Sequence, residues 1–253
     1  MADAGCRGGA SPRQELLSHV RASRHVGYGY ALWLVPPAGS EAALRLRAAQ
    51  RRLNPALAFH HPPHATLLCH LRSLPQARAV AAAVAAAQAP FQITVAARVQ
   101  ACQVRYAVPG DHGTERIAAP PDDDCRAVHA AAWGAGFEAA CRAAHAAAAA
   151  WHLASGGDAA GVPAPFRPHE GHISLAYRYA SAGFSELEVA AMDQAAGGAS
   201  ACVFEADRVV VASAHGPWPD WRVIEALPMR GAEWAAAPAE SAVPLAPDVE
   251  DAV

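Results

Sequence analysis

The tetrapeptide His64-Ala65-Thr66-Leu67 returns as His172-Ile173-Ser174-Leu175, and this pair constrains the fold more than any other feature of the 253-residue chain. Successive side chains of a strand alternate between faces, so each copy sets an imidazole and a hydroxyl on one surface and two apolar groups on the other. Two such strands call for a sheet with a covered back and an accessible front. With 13 His in the chain, roughly one His-x-Ser/Thr is expected by chance, and roughly 0.05 once a following Leu is required. A third match, His112-Gly113-Thr114, lies in a Pro-Gly-Asp-His-Gly loop and is followed by Glu115. Neither the Leu nor a strand is expected there.

Around the motifs, periodicity and breakers give an alternating series of elements. Residues 28–35 predict a strand stopped by Pro36 and Pro37, and Ser40 caps a predicted helix over 41–53. A strand over 65–71, entered through His60-His61-Pro62-Pro63, precedes a helix over 74–88 that Pro90 ends. Residues 91–108 alternate as one long or two short strands, and a polar loop follows over 109–124. The Ala-rich stretch 125–153 predicts one long helix that Gly134 and Gly136 bend or split. The remainder predicts strands over 172–179, 202–212 and 221–227, with a helix over 185–195.

Residues 1–26 are expected to be a weakly ordered lead, residues 27–229 one domain of two lobes, and residues 230–253 a disordered acidic Ala/Pro tail. A hydrophobic fraction of 53% is enough for a full core. The longest apolar run, 143–151, is mostly Ala and is interrupted by His145, which argues against a membrane span. All 20 basic residues are Arg, and the net charge of −3 does not suit a protein that tracks long nucleic acid by displacing counterions. The expected partner is a small anion and the expected state a monomer. Six dispersed cysteines without a Cys-x-x-Cys pair, and no apolar signal region, imply reduced thiols in the cytoplasm. Arg7, Arg13, Arg21 and Arg24 keep an organelle address open, with Asp3 and Glu15 against it.

Two imidazoles with two hydroxyls suit the opening of a cyclic phosphodiester. One base must take a proton from attacking water and one acid must protonate the departing oxygen, and His near its unperturbed pKa serves either role at neutral pH. Thr66 and Ser174 can each donate a hydrogen bond to a non-bridging phosphate oxygen. No metal or other cofactor is required. The sequence assigns neither His64 nor His172 to the acid or the base.

These tandem motifs resemble those of the 2H phosphoesterase superfamily, and more narrowly the plant and fungal type of cyclic phosphodiesterase. The run Leu32-Trp33-Leu34-Val35-Pro36, the Pro63-His64-Ala65-Thr66 motif and the Ser174-Leu175-Ala176-Tyr177 continuation are similar to that family's pattern. The resemblance spans roughly 28–229 and is thin between the motifs. It implies an α+β fold with two antiparallel sheets around a central groove, helices outside and one motif strand per lobe. It further implies hydrolysis of ADP-ribose 1″,2″-cyclic phosphate and of nucleoside 2′,3′-cyclic phosphates to 2′-phosphates. The family's phosphate-contacting Tyr falls on Tyr177. A regular strand sets Tyr177 on the face opposite His172, so that role requires a bulge or a strand end just after Leu175. The Ala-rich segment 127–160 and the chain after Met229 have no counterpart in the pattern.

His60, His61, His70 and His169 read as incidental surface residues rather than metal ligands, because no Asp/Glu set completes a site. His129, His145 and His152 read as one helix face, and Asp122 to Asp124 as a solvated run or helix cap. Trp33 and Trp133 read as core. Trp218 and Trp221, beside Pro217 and Pro219, read as core or as a closure over one end of the groove. The competing functions are an RNA end-processing phosphodiesterase of the 2′-5′ ligase-like kind, which should show a basic path, and a non-catalytic phosphate-binding module.

Overall fold

A computed structural model describes residues 29–53, 61–104, 108–110, 113–115, 125–157, 171–179, 185–195, 202–215 and 221–232. The expected lead over 1–26 and nearly all of the expected tail lie outside them. The strands are β1 Tyr30–Leu34, β2 Ala65–Leu71, β3 Phe91–Val104, β4 Val108–Gly110, β5 Gly113–Glu115, β6 Cys125–Trp133, β7 His172–Tyr179, β8 Cys202–Ala206, β9 Arg208–Ser213 and β10 Arg222–Pro228. The helices are α1 Glu41–Leu53, α2 Leu74–Ala87, α3 Ala135–Ala154 and α4 Glu186–Ala195.

Three of the four helices start where a side chain satisfies the first free amides, whereas α3 begins after Gly134 without a side-chain cap. Ser40 Oγ accepts from Ala43 N at 3.2 Å ahead of α1, whose first turn holds Glu41 and whose last holds Arg51 and Arg52, all matched to the helix dipole. Ser73 Oγ caps Gln76 N at 3.3 Å, while Gln76 Oε1 reaches back to Arg72 N at 2.8 Å. Ser185 and Glu188 exchange a capping box at the start of α4.

Eight strands, all paired antiparallel, form one sheet in the order β10-β9-β1-β2-β7-β6-β3-β8, and β4-β5 is a separate two-stranded piece. The expected pair of sheets is therefore corrected to one. It nonetheless consists of two four-stranded halves, because β2 and β7 meet in a single residue pair, Ala65↔Ile173. Each half holds one motif strand.

The predicted strand over 202–212 breaks at Asp207, which separates β8 at one edge of the order from β9 near the other. Strands so far apart in the order can be joined by one residue only if the sheet bends round to bring its ends together. Asp207 is held at that corner by Arg208, whose Nε and Nη2 donate to the carboxylate at 2.6 and 2.8 Å, and by Met229 N, which donates to the Asp207 carbonyl. The Arg208 hydrogen bonds hold the carboxyl of Asp207 below its usual range.

The Ala-rich stretch is corrected in its first third. Cys125–Trp133 is strand β6, between β7 and β3, and only Ala135–Ala154 is helix. Ala has high helix propensity, but pairing on both edges with β3 and β7 outweighs a preference of tenths of a kcal/mol per residue. Gly134 marks the change, where a Cβ would lie 2.6 Å from the Gln92 carbonyl oxygen. The segment without a family counterpart thus supplies a central strand and a core helix. The polar stretch after β3 carries the short hairpin β4-β5, so Thr114 of the third His-x-Thr lies in a strand, contrary to expectation. His112 is outside the described residues.

One core fills the space between the helices and one sheet face. Leu32, Leu34, Ala65, Leu67, Ile93, Ile173, Leu175, Phe204 and Val211 meet Leu46, Val80, Val84, Phe137 and Ala144 there. Among the described residues the opposite face carries a small cluster, Ala31, Trp33, Val210, Ala212 and Ala214, with Trp221 packed against it. That face is where the motifs present their polar groups. No helix among the described residues is long and apolar enough to cross a membrane.

Candidate active site

Ala65 and Ile173 are both fully buried in the helix-side core and directly paired. Extending that antiparallel register one residue each way sets His64 against Ser174 and Thr66 against His172 on the opposite face. The four groups thus form a quadrilateral in which each imidazole faces the other motif's hydroxyl. Residues from the two halves meet at the pair that joins β2 to β7.

The Leu of each motif is the site of a bulge. Along β1-β2, Trp33 pairs with Thr66 and Leu32 with Leu68, which leaves Leu67 as the extra residue. Along β6-β7, His129 pairs with Ser174 and Val128 with Ala176, which leaves Leu175 as the extra residue. Both leucines are fully buried, and Leu68, next to the first, is buried as well. The second irregularity falls in the register between Ser174 and Ala176, ahead of Tyr177. Position 177 pairs with Ala127, while His129 and Ala131 are the partners of Ser174 and His172. The Tyr177 side chain is outside the described residues.

His64 is 6% exposed and its ring stacks on Trp33, with centroids 3.8 Å apart and planes 14° from parallel. Its Nδ1 donates to the Pro62 carbonyl at 3.0 Å, which leaves Nε2 as the nitrogen that can take or give a proton. Burial, then the neighbouring His61 and more weakly His172, hold His64 well below its ordinary value of 6.5, against the opposing pull of the Pro62 hydrogen bond. His64 is neutral at pH 7. Ser174 is buried, whereas Thr66 and His172 are partly exposed.

Three contributors were missed in the sequence. His61, expected at the surface, is 2% exposed, lies edge-on to His64 at 5.0 Å, and shares the Pro62 carbonyl through Nδ1 at 3.2 Å. Helix α1 supplies the other two. Arg47 Nη1 donates to the His61 carbonyl at 2.8 Å, and the buried Gln50 donates through Nε2 to the Ser174 carbonyl at 3.2 Å. Three positions apart, these residues share a helix face and tie the lead-in of one motif and the backbone of the other to one rigid element. The doubled His before Pro62 was the available signal for His61. Nothing in the sequence distinguishes Gln50 from an ordinary helix residue.

Trp33 is core, as expected, at 1% exposure, but it is also the floor under His64. Trp133, also expected in the core, is 46% exposed. Trp221 is partly buried, 6.1 Å from the His61 ring and 6.4 Å from Trp33, on the side of the small cluster. His145 and His152 are half-buried on α3, while His129 belongs to β6. His70 is exposed, with a positive φ of 62° at an irregularity late in β2. His60, His169, Trp218 and Asp122 to Asp124 lie outside the described residues. Among the described residues no group of three or more His, Cys, Asp or Glu could hold a metal ion, and Cys69, Cys141 and Cys202 are free thiols.

No protein-family model matches this chain, and no curated protein matches it. Among solved structures it is similar to TT0787 of Thermus thermophilus, at 20% identity over 81% of this chain and 99% of that one, with a TM-score of 0.47. It is also similar to a phosphoesterase, at 12% identity, 80% and 98% coverage and a TM-score of 0.41. Escherichia coli LigT complexed with 3′-AMP is similar at 12% identity, 80% and 98% coverage and a TM-score of 0.42.

Proposed function

We propose that this chain is a metal-independent phosphoesterase of the 2H type that opens a small cyclic phosphodiester. The observation that carries this reading is the quadrilateral of His64, Ser174, Thr66 and His172 around the Ala65↔Ile173 pair. A phosphate lying over that pair has an imidazole on each side and a hydroxyl beside each imidazole.

Because His64 is neutral with Nδ1–H committed to Pro62, its Nε2 is the general base. It takes a proton from water as the water oxygen bonds to phosphorus. The bond from phosphorus to the departing ribose oxygen breaks, and His172, as the acid, gives that oxygen its proton. Thr66 and Ser174 donate to the non-bridging oxygens, and the burial of Ser174 makes its hydrogen bond count for more than in water. Tyr177 is the third phosphate contact in this reading, supported by the extra residue at Leu175 in the register ahead of it. The substrates are nucleoside 2′,3′-cyclic phosphates and ADP-ribose 1″,2″-cyclic phosphate, with 2′-phosphates as the nucleotide products.

The test is hydrolysis of adenosine 2′,3′-cyclic phosphate and of ADP-ribose 1″,2″-cyclic phosphate by purified protein in excess EDTA, with the product identified. Turnover to the 2′-phosphate is expected. No turnover of either compound would overturn the reading in favour of RNA end processing or phosphate binding without catalysis.

A further inference from the structure

The open face of the sheet is filled unequally on the two sides of the quadrilateral. Toward β1 and β9 it is occupied by Trp33, Val210 and Ala212 with Trp221 packed on them, and Trp33 is 1% exposed. Toward β6, β3 and β8 large apolar groups stand uncovered, with Trp133 at 46% and Val203 at 50% exposure.

Trp133 belongs to the same face as the quadrilateral. Along β6, Ala130 and Ala132 are buried in the helix-side core whereas Ala131 and Trp133 are exposed, so the latter two share the open side. Ala131 is the partner of His172. Trp133, two residues on, is therefore the diagonal neighbour of His172, about 7–8 Å away between strands and within reach of an aromatic side chain. On its other edge it pairs with Thr94, and Thr94 pairs in turn with Val203. The backbone beneath the indole is fixed from both sides, by Ala132 N donating to the Gly171 carbonyl at 2.9 Å and by the close approach of Gly134 to Gln92.

We propose that Trp133, flanked by Val203, is the platform on which the substrate's nucleobase stacks while its cyclic phosphate lies between His64 and His172. The site then selects a base-bearing cyclic nucleotide over a bare sugar phosphate. This rests on the phosphoesterase reading above. Among the described residues this is the side of the phosphate where an aromatic ring stands exposed, and an indole face receives any base because every base has a π-face. Gln92 and Glu205, exposed and paired next along β3 and β8, add hydrogen-bonding groups at the rim.

The experiment compares kcat/KM for adenosine 2′,3′-cyclic phosphate with that for a methyl riboside 2′,3′-cyclic phosphate, which lacks a base, in the wild-type chain, Trp133→Ala and Trp133→Phe. The preference for the adenosine compound is expected to fall about tenfold in Trp133→Ala, equivalent to ~1.4 kcal/mol. The loss should lie mainly in KM, and Trp133→Phe should regain most of it. An unchanged preference, or equal losses on both compounds, would overturn the platform while leaving the phosphoesterase reading intact. Wild-type protein that turns over neither compound would overturn both.

Discussion

At the scale of single residues, the site depends on one imidazole kept neutral by its surroundings. His64 is buried beside His61, and both its burial and the neighbouring imidazole disfavour the imidazolium. In the proposed mechanism His64 is the general base, and it would work until the pH falls through its lowered pKa. The acid limb of kcat/KM is therefore expected below pH 6.5, and a pH profile with that limb above 6.5 would contradict the assignment. The same shift bears on folding. Between the lowered value and 6.5 the unfolded chain binds a proton that the folded chain excludes, so stability is lost as pH falls through that window. Urea midpoints should drop between pH 7.5 and 5.5, and drop less in His64→Asn. His64→Ala and His172→Ala are each expected to lower kcat by about 10² to 10⁴-fold. Thr66→Ala and Ser174→Ala should cost roughly 10 to 10³-fold, from the loss of one oxyanion donor. Single-turnover rates on a cyclic nucleotide would check all four.

At the scale of elements, two devices place the motif side chains. The first is the bulge at each motif Leu, which buries Leu67 and Leu175 while shifting the register of the strand beyond it. Leu175→Ala would open a cavity at full burial and is expected to cost about 2–5 kcal/mol by urea denaturation. The second device is helix α1, which bonds the His61 carbonyl through Arg47 and the Ser174 carbonyl through Gln50. Gln50→Leu keeps the volume and leaves that carbonyl without its donor, at an expected cost of about 1–3 kcal/mol. Because Ser174 is itself a phosphate donor in the proposed mechanism, kcat should fall with stability, and wild-type kcat in Gln50→Leu would argue against a positioning role. The strands and helices with period and caps were legible in sequence. Helix α1 over 41–53 and strand β2 over 65–71 emerge where predicted, because Ser40, the Pro pairs and the apolar spacing act locally. Strand β6 was not legible, because an Ala run is helical by propensity and becomes strand only when β3 and β7 stand on either side.

At the scale of the whole molecule, the two motif strands sit at the centre of the sheet order, and the halves they belong to share one residue pair. A net charge of −3 is the ground for proposing a small substrate rather than a long polyanion. KM for a cyclic mononucleotide is therefore expected to change less than about threefold between 50 and 200 mM salt, and the steep dependence of a multi-phosphate contact would favour an RNA substrate. What the sequence determined by itself was local: the alternation that pairs each imidazole with a hydroxyl, the caps and breakers that bound the elements, and the absence of a long apolar span. The number of sheets, the strand identity of residues 125–133, the burial of His61 and the exposure of Trp133 were decided by the tertiary structure. The reason is physical. Alternation and capping act within a few residues, whereas which face is covered, and which carbonyl Gln50 meets 124 positions away, depend on contacts that exist only once β2 and β7 lie side by side.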